Sequence, residues 1–183
     1  DFSNEKKEIV SVGRLEPQKN QKLLIESFSM LAEELSDYNL VIYGEGSLRK
    51  ELEAFVESKG LTNRVFLPGA KSGIQNYIKD ASLFVLSSDY EGIPNALIEA
   101  MAIGLPCAST DCSPGGAREL IVNEKDGFIT PCGDAQKLAD AIRKMINDKS
   151  LARACGTNAK QICQRTAVQK ISEEWMTHIC DKR

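Results

Sequence analysis

Histidine is nearly absent from this 183-residue sequence. Only His178 occurs, near the C-terminus, and none of the six cysteines forms a Cys-x-x-Cys pair. Because zinc sites take closely spaced Cys and His ligands, the sequence predicts no zinc site. The even number of cysteines permits disulfides, but the chain is large and not dense in cysteine, so we expect reduced thiols, as in a cytosolic protein. Cys107 and Cys112, in or beside a predicted strand, are expected to fill the core.

The sequence also lacks a long hydrophobic run and a recognisable signal peptide. It has no strong excess of charge of one sign, since 23 basic and 26 acidic residues give a formal net charge of −3. Bulk electrostatics therefore does not favour nucleic acid or an anionic membrane as a partner. The first residues, DFSNEKKE, are polar and carry no initiator Met, so we expect a piece of a longer protein.

Strand-like and helix-like segments alternate along the chain. The predicted strands are 8–13, 39–44, 64–69, 83–88, 106–110 and 126–130. The predicted helices are 20–35, 47–60, 73–81, 94–104, a short one within 114–123, 134–147, 150–164 and 167–180. Ser47 is expected to cap its helix and Gly60 to end it. Strict alternation with short connections predicts a single α/β domain, a doubly wound parallel sheet that binds ligands at the carboxyl ends of its strands.

The loops after the first two predicted strands carry the first candidate residues. In VGRLEPQKNQ, Gly13 permits a tight turn, and Arg14 and Lys19 flank the start of a helix. Two cations beside a helix N-terminus suit a phosphate, although an ordinary loop with two solvated bases fits as well. In YGEGS, Gly44 and Gly46 indicate a tight turn with open backbone. The Gly-x-Gly-x-x-Gly fingerprint is missing, which disfavours a nicotinamide-dependent dehydrogenase.

Two glutamates eight residues apart raise a further question in SSDYEGIPNALIEAMAIGLP. Glu91 lies in a loop before the helix 94–104 and Glu99 lies within it, so we expect them at opposite ends of one ligand-sized space. The free amides of about Asn95 to Leu97 would point from the first turn toward an anion. A glycosidase pair is disfavoured because those carboxylates usually come from different strands. We interpret the pair as two contacts to one phosphate-containing ligand. Solvated surface charge remains the alternative.

Taken together, these motifs resemble a known family. VGRLEPQKN, YGEGSLRKELE, RVFLPG, SSDYEGIPNALIEAMAIGLPCAST, PGGARELI and DGFITPCGDAQKLADAI follow one another in the order found in the C-terminal, donor-binding domain of GT-B fold retaining glycosyltransferases of family 4, or group 1. The resemblance covers nearly all of residues 1–183. It implies a Rossmann-like half of a GT-B enzyme that binds a nucleoside-diphosphate sugar, with UDP or GDP as the nucleotide, in hexosyl transfer for polysaccharide biosynthesis.

The resemblance also implies roles for individual residues. Arg14 and Lys19 would hold the diphosphate, Glu91 would lie near the donor sugar, and Glu99 would bind the ribose. Backbone near Ala70 and Lys71 would frame the base. The full set of expected substrate-binding residues is Gly13, Gly44, Gly46, Ala70, Lys71, Gly92, Ile93, Asn95, Ala96, Leu97 and Glu99, and the expected catalytic residues are Arg14, Lys19 and Glu91.

The expected partners follow from the same resemblance. No Asp-x-Asp metal motif is evident, which implies metal-independent transfer without a cofactor. An acceptor sugar or lipid would be held by an N-terminal domain that this chain lacks, so we expect the chain alone to be inactive. Membrane association would come only through that domain, and we expect a cytoplasmic protein, with the last helix, about 167–180, packing at the domain edge. The alternatives are an epimerase-type GT-B enzyme acting on nucleotide sugars and a non-catalytic nucleotide-binding α/β module.

Overall fold

Six parallel strands form one sheet in the computed structural model, which describes residues 6–167. The strands are β1 Lys6–Val12, β2 Asn39–Tyr43, β3 Val65–Phe66, β4 Ala81–Leu86, β5 Cys107–Thr110 and β6 Phe128–Thr130. Their order in the sheet is β3-β2-β1-β4-β5-β6, and Val10 at the centre pairs with Val41 on one side and Phe84 on the other. The predicted α/β class with a doubly wound parallel sheet is confirmed.

Helices cover both faces of this sheet. They are α1 Gln21–Ser29, α2 Arg49–Ser58, α3 Gln75–Ile78, α4 Asn95–Ala102, α5 Gly116–Leu120, α6 Ala135–Asn147, α7 Lys149–Ala159 and α8 Ile162–Arg165. Side chains alternate along each strand, so the neighbours Ile9 and Val10 of β1 enter different cores. The Ile9 core contains α1, α2 and α6, and the Val10 core contains α3, α4 and α5. The central strands are therefore buried on both faces.

The first long helix is shorter than predicted, although its apolar stripe is correct. Asn20 caps α1 by accepting a 3.2 Å hydrogen bond from the Leu23 N–H, and the helix ends at Ser29. Beyond that point Leu31 and Leu35 remain buried in a series of turns. Arg64 fastens these turns, because its guanidinium donates to the carbonyl oxygens of Leu35 (2.6 Å) and Tyr38 (2.8 Å).

The predicted cap at Ser47 is wrong. Leu48 occupies the N-cap of α2 without a capping side chain. Ser47 instead donates from its N–H (2.9 Å) and its hydroxyl (2.8 Å) to the carboxylate of Glu16, in the loop after β1. A charged acceptor from a neighbouring loop has replaced the local cap. The predicted stop at Gly60 is confirmed, with φ of 68° and the Leu61 N–H bonded to the Val56 carbonyl at 3.0 Å.

The other predicted elements differ in length, and one is divided in two. The predicted strand 64–69 contracts to Val65–Phe66, and the predicted helix 73–81 contracts to Gln75–Ile78 because β4 already begins at Ala81. The predicted helix 150–164 divides into α7 and α8. The predicted helix 167–180, with His178 and Cys180, lies outside the described residues except for its first position. In the described part of the chain, no helix is long and apolar enough to cross a membrane.

Candidate functional site

The strand order creates a crevice at the carboxyl ends of β1 and β4. From β1 the chain proceeds to β2 and β3 on one side of the sheet, and it then returns to β4 on the other side of β1. The two loops that leave β1 and β4 therefore run to opposite faces, and the gap between them is where doubly wound sheets bind ligands. The loops at residues 13–20 and 87–94 carry six of the fourteen predicted site residues, among them the three predicted catalytic residues.

An open cleft of ≈ 370 Å³ occupies one side of this crevice. Its lining includes half of the site residues predicted from the sequence, namely Gly13, Arg14, Gly44, Ala70, Lys71, Ala96 and Glu99. Four further lining residues, Val12, Tyr43, Glu45 and Ile74, were not predicted. Val12, Tyr43 and Glu45 are adjacent to predicted positions and Ile74 lies three residues after Lys71, so proximity along the chain was the only signal for them. Lys19, Gly46, Glu91, Gly92, Ile93, Asn95 and Leu97 do not line this cleft.

The loops after β1 and β4 are bonded to each other. The Gln18 side chain donates to the Tyr90 carbonyl (2.7 Å), and the Asp89 N–H donates back to the Gln18 carbonyl (2.9 Å). The Asn20 amide donates to the Asp89 carboxylate at 2.9 Å, and the Ser87 hydroxyl donates to the Lys19 carbonyl at 3.0 Å. Sequence reasoning missed these contacts, because they join residues about 70 positions apart. They hold Lys19 next to Glu91.

Lys19 and Glu91 form an ion pair beside the cleft. The Lys19 ammonium contacts Oε1 of Glu91, which is 7% exposed. The Ser88 hydroxyl donates to the same oxygen at 2.8 Å. The stem of Lys19 runs along Gly13, where an added Cβ would lie 3.4 Å from the Lys19 Cδ. Of the two predicted carboxylates, Glu99 thus lines the cleft, and Glu91 is buried next to it against a cation.

Arg14 is exposed at the mouth of the cleft and forms no ion pair with any residue between Lys6 and Ala167. Its backbone is fixed, because Gln21 of α1 donates from Nε2 to the Arg14 carbonyl at 2.8 Å. Gln21 is 2% exposed, and its Oε1 is the one buried side-chain oxygen or nitrogen without a hydrogen bond in the described residues. The guanidinium is therefore available to an anion while its attachment point stays rigid.

The glycines of the loop after β2 are required by close packing. A Cβ on Gly44 would overlap the Gly13 carbonyl oxygen, and a Cβ on Gly46 would overlap the backbone of Leu15. The Leu15 N–H also donates to the Glu45 carbonyl at 2.9 Å. The tight-turn interpretation of this Gly-x-Gly is thus sufficient for Gly46, whereas Gly44 also lines the cleft.

The start of α4 points into the same region. Pro94 occupies the N-cap, and the amides of Asn95 and Ala96 donate to no acceptor in the part of the chain that is described. The prediction that the Leu97 amide is also free is wrong, because it donates to the Pro94 carbonyl at 3.0 Å, and the Leu97 side chain is fully buried in the core. Because the Leu97 amide is bonded to the Pro94 carbonyl, only the amides of Asn95 and Ala96 remain open to an anion.

The loop between Glu91 and α4 is packed against α5. A Cβ on Gly116 would overlap the carbonyl oxygen of Gly92, so the loop lies directly on the start of α5. Nothing lies within 4 Å of a Cβ on Gly92 itself, and Ile93 is 55% exposed. These two residues form an open rim beside Glu91 and do not belong to the cleft.

Glu99 is oriented by a residue that sequence reasoning missed. Gln75, the first residue of α3, donates from Nε2 to Oε2 of Glu99 at 2.9 Å. Next to this pair, the Lys71 ammonium lies 5.9 Å from the centre of the Tyr77 ring. Burial and the nearby Glu8 and Tyr77 raise the pKa of the Tyr43 hydroxyl, so Tyr43 stays protonated in the cleft wall at neutral pH. Within residues 6–167, no group of three or more His, Cys, Asp or Glu side chains is arranged to hold a metal ion.

The cleft therefore offers a guanidinium without an ion-pair partner among residues 6–167, the open amide of Ala96 and an oriented carboxylate, and the open amide of Asn95 lies beside it. The family model described as "Glycosyl transferases group 1" matches residues 1–162. The chain belongs to this family. Among its relatives, a Campylobacter jejuni protein named as an alpha-1,4-N-acetyl-D-galactosaminyltransferase acting on an undecaprenol-linked saccharide is 32% identical over 183 residues, 99% of this chain and 50% of that protein.

Two solved structures have the same fold as this chain. Staphylococcus aureus TarM, crystallised as a point mutant with fondaparinux, alpha-GlcNAc-glycerol and UDP, superposes with a TM-score of 0.89 at 29% identity over 97% of this chain and 36% of that chain. Anabaena HepE with UDP superposes with a TM-score of 0.86 at 26% identity over 98% of this chain and 50% of that one. The chain spans about half the length of the curated relatives it matches.

Proposed function

We propose that this group 1 domain binds a nucleoside-diphosphate sugar and supports transfer of the sugar to an acceptor with retention of its anomeric configuration. The observation that carries the proposal is the cleft at the β1–β4 crossover lined by Arg14, Ala96 and Glu99. These three supply a cation, a helix amide and an acceptor-only carboxylate. A molecule that contains both a phosphate chain and a vicinal diol matches this combination.

The diphosphate is assigned to the Arg14 side of the cleft. The guanidinium is unpaired among the described residues, and the open amides of Asn95 and Ala96 stand at the N-terminus of α4, where the helix dipole favours an anion. Lys19 is expected to join them once its ammonium leaves Glu91. As the bond between the anomeric carbon and the diphosphate breaks, the electron pair stays on the departing phosphate oxygen. Fixed cations and amides stabilise that charge without a metal ion.

The ribose is assigned to Glu99. An ionised carboxylate has about four acceptor positions on two oxygens, and Gln75 occupies only one of them. Two adjacent hydroxyls can therefore donate to it. The base would lie beyond the ribose, along the backbone at Ala70 and Lys71, which line the same cleft. The bound UDP in the TarM and HepE structures supports a uridine nucleotide as the first candidate.

Glu91 is assigned to the donor sugar. It lies in the loop before α4, whereas Glu99 lies within that helix, and it is next to the exposed rim formed by Gly92 and Ile93. The transferring sugar carries positive charge in the transition state, and a nearby fixed carboxylate offsets that charge. We further propose that the acceptor, a sugar or lipid-linked saccharide, is held by a second domain, and that the chain alone transfers little. The half-length match to the relatives supports this division.

Titration calorimetry tests the proposal directly. UDP, GDP and ADP are titrated into the wild-type chain, into Arg14→Ala and into Glu99→Ala. We expect one nucleotide to bind and both substitutions to weaken it by roughly 10- to 100-fold, as expected when a hydrogen bond to a charged group is lost. Arg143→Ala and Glu34→Ala are matched controls, because these residues pair with each other at 2.8 Å away from the cleft. Failure of all three nucleotides to bind, or equal weakening by the control substitutions, would contradict the proposal.

A second experiment tests the transfer itself. The titrated nucleotide identifies the base, and the matching nucleotide sugars are then offered with acceptor saccharides to the full-length protein. The anomeric configuration of the new linkage, measured by NMR coupling constants, is expected to equal that of the donor. An inverted product would contradict the retaining mechanism and leave the donor site intact.

A further inference from the structure

The ion pair between Lys19 and Glu91 is unusually well enclosed for this protein. The two side chains are 18% and 9% exposed, whereas at least one partner in each of the other ion pairs among the described residues is 30% exposed or more. An enclosed pair is screened little by salt, so its attraction is stronger than that of surface pairs. Any ligand that needs the Lys19 ammonium must first compete with Glu91.

The carboxylate of this pair is held from several directions. Oε1 of Glu91 accepts from the Ser88 hydroxyl as well as from Lys19, and the Glu91 N–H donates to the Ser113 carbonyl at 2.8 Å. The Ser88 backbone is fixed in turn, since its carbonyl accepts from the Thr110 hydroxyl at 2.6 Å. Glu91 therefore stays in position when Lys19 moves, and the serine hydroxyl keeps its carboxylate partly satisfied.

The cation, in contrast, is carried on a flexible four-carbon stem that lies next to the cleft. Its stem passes within contact distance of Gly13, which lines the cleft, and only its ammonium is bonded to Glu91. Lysine carries a compact charge on a flexible four-carbon stem, so rotation of the last torsions redirects the ammonium. The backbone of Lys19 is meanwhile held through its carbonyl by the Ser87 hydroxyl.

We propose that Glu91 is the resident counter-ion of Lys19 in the empty site, and that the diphosphate of the nucleotide competes with it for the same ammonium. This inference rests on the proposed donor site. Glu91 then has a role apart from the sugar: it lowers the affinity for the nucleotide. After the sugar has been transferred, the carboxylate reclaims Lys19 and so favours release of the nucleoside diphosphate.

The substitution Glu91→Gln tests the competition. Glutamine keeps the shape and an oxygen that accepts from Ser88 and Lys19, but it removes the charge that competes with the ligand. We expect the dissociation constant for UDP, or for whichever nucleoside diphosphate the wild type binds, to fall by about three- to tenfold. The matching monophosphate should gain less, because it presents less charge to Lys19. An unchanged or larger dissociation constant for the diphosphate would overturn the inference.

A double-mutant cycle separates exchange of partners from simple long-range repulsion. Lys19→Met retains the stem against Gly13 and removes the ammonium. In this background Glu91→Gln should no longer improve diphosphate binding, because there is no cation to release. An equal improvement in the wild-type and Lys19→Met backgrounds would mean that Glu91 merely repels the ligand. This inference would then fail, whereas the proposed donor site would stand. If the wild type binds no nucleotide, or if Lys19→Met binds it unchanged, the diphosphate site of the proposed function fails, and the inference fails with it.

If a variant does not fold, a measurement on the wild-type chain still tests the exchange. The lysine ammonium groups are labelled with ¹⁵N, and the Lys19 signal is identified by its disappearance in Lys19→Met or, failing that, in Lys19→Arg. We expect saturating UDP, or the nucleotide that the wild type binds, to shift this signal by more than that of Lys59, a lysine paired with Glu26 at 2.6 Å on the protein surface. A Lys19 signal that stays unmoved by the bound nucleotide would overturn the exchange.

Discussion

Gln75 illustrates what one side chain decides at this site. It neither contacts a phosphate nor carries a charge, but its amide holds one oxygen of Glu99 at 2.9 Å. A carboxylate on a helix has several rotamers, and one hydrogen bond from a neighbouring helix selects among them. The proposed ribose contact therefore depends on α3 as well as on α4.

Substitution of Gln75 by methionine should weaken nucleotide binding through the ribose alone. Methionine has similar length and no donor, so Glu99 loses its orienting bond. We expect UDP affinity to fall by only about three- to tenfold, because Gln75 acts on the ligand only through the orientation of Glu99. The 2′-deoxy nucleotide should be affected less, so calorimetry with both ligands would show a reduced preference for ribose. Gln136→Met is the control, since Gln136 donates to Asp140 at 3.0 Å far from the cleft. Equal weakening of both ligands by Gln75→Met would contradict the assignment.

The Glu16 carboxylate is expected to make the stability of the folded chain depend on pH. The Ser47 N–H and hydroxyl both donate to its carboxylate, which lowers the pKa of Glu16 in the folded chain. A lowered pKa means that the contribution to stability is complete above the unfolded value and is lost as the pH falls through the folded value. Glu16→Gln should therefore reduce the melting temperature at pH 7, and this difference should shrink as the pH falls below about 4, through the lowered pKa of Glu16. A difference that persists undiminished at pH 3 would exclude this link between the loops after β1 and β2.

At the scale of elements, the site depends on the contact of loops that follow different strands. The loop after β1 is bonded to the loop after β4 through Gln18, Asn20 and Asp89, and it stacks on the loop after β2 through Gly44 and Gly46. The start of α5 supports the loop between Glu91 and α4 in the same way. Precise placement of charged groups thus comes from side-chain hydrogen bonds between loops and from close backbone contacts at the glycines, and the glycine contacts permit little adjustment.

The contact between Gly116 and Gly92 can be tested by adding one methyl group. In Gly116→Ala the new Cβ would overlap the Gly92 carbonyl, so the loop that carries Glu91 must shift. We expect a loss of stability of about 1–3 kcal/mol and weaker nucleotide binding. Gly115→Ala is the matched control: Gly115 has φ of 109° with open space around it, so alanine there strains the backbone without pushing the loop. If both variants lose stability but bind nucleotide equally well, the contact is not part of the site.

At the scale of the whole molecule, the sheet and its two cores protect the interior thiols. Cys107, Cys112 and Cys155 are fully buried, and burial raises the pKa of each thiol. Cys132 and Cys163 are exposed, and none of these five cysteines is in a disulfide. Since the thiolate is the reactive form, reactivity depends on both exposure and pKa.

Alkylation followed by mass spectrometry should therefore divide the cysteines into two groups. In the folded chain at pH 8 we expect Cys132 and Cys163 to react while Cys107, Cys112 and Cys155 remain unmodified. Partial burial and the nearby Asp89 carboxylate raise the pKa of Cys132, so its reaction should accelerate as the pH increases above 8. The protected group should react only with global unfolding in urea, and modification of Cys107 well below the unfolding midpoint would contradict the two-core arrangement.

Much of the element order could be predicted, because it depends on local patterns. The stripe of Leu24, Phe28, Leu31 and Leu35 and the strand at 83–88 are visible in the periodicity of apolar residues. Boundaries were less predictable: α1 ends at Ser29 because tertiary contacts, among them the Arg64 guanidinium on the Leu35 and Tyr38 carbonyls, accommodate the turns that follow. A tertiary contact also explains why Ser47 does not cap α2, because its N–H donates to the carboxylate of Glu16.

The sequence by itself determined the α/β class, the family and the residue types available for chemistry, since these depend on composition, periodicity and motif spacing. Only the tertiary structure decided which of those residues share a space. It grouped Arg14, Ala96 and Glu99 in one cleft, paired Lys19 with Glu91, buried Leu97 and brought in Gln75. The physical reason is that such contacts join chain segments separated by tens of residues, and a crossover in the sheet, not any local preference, brings their loops together.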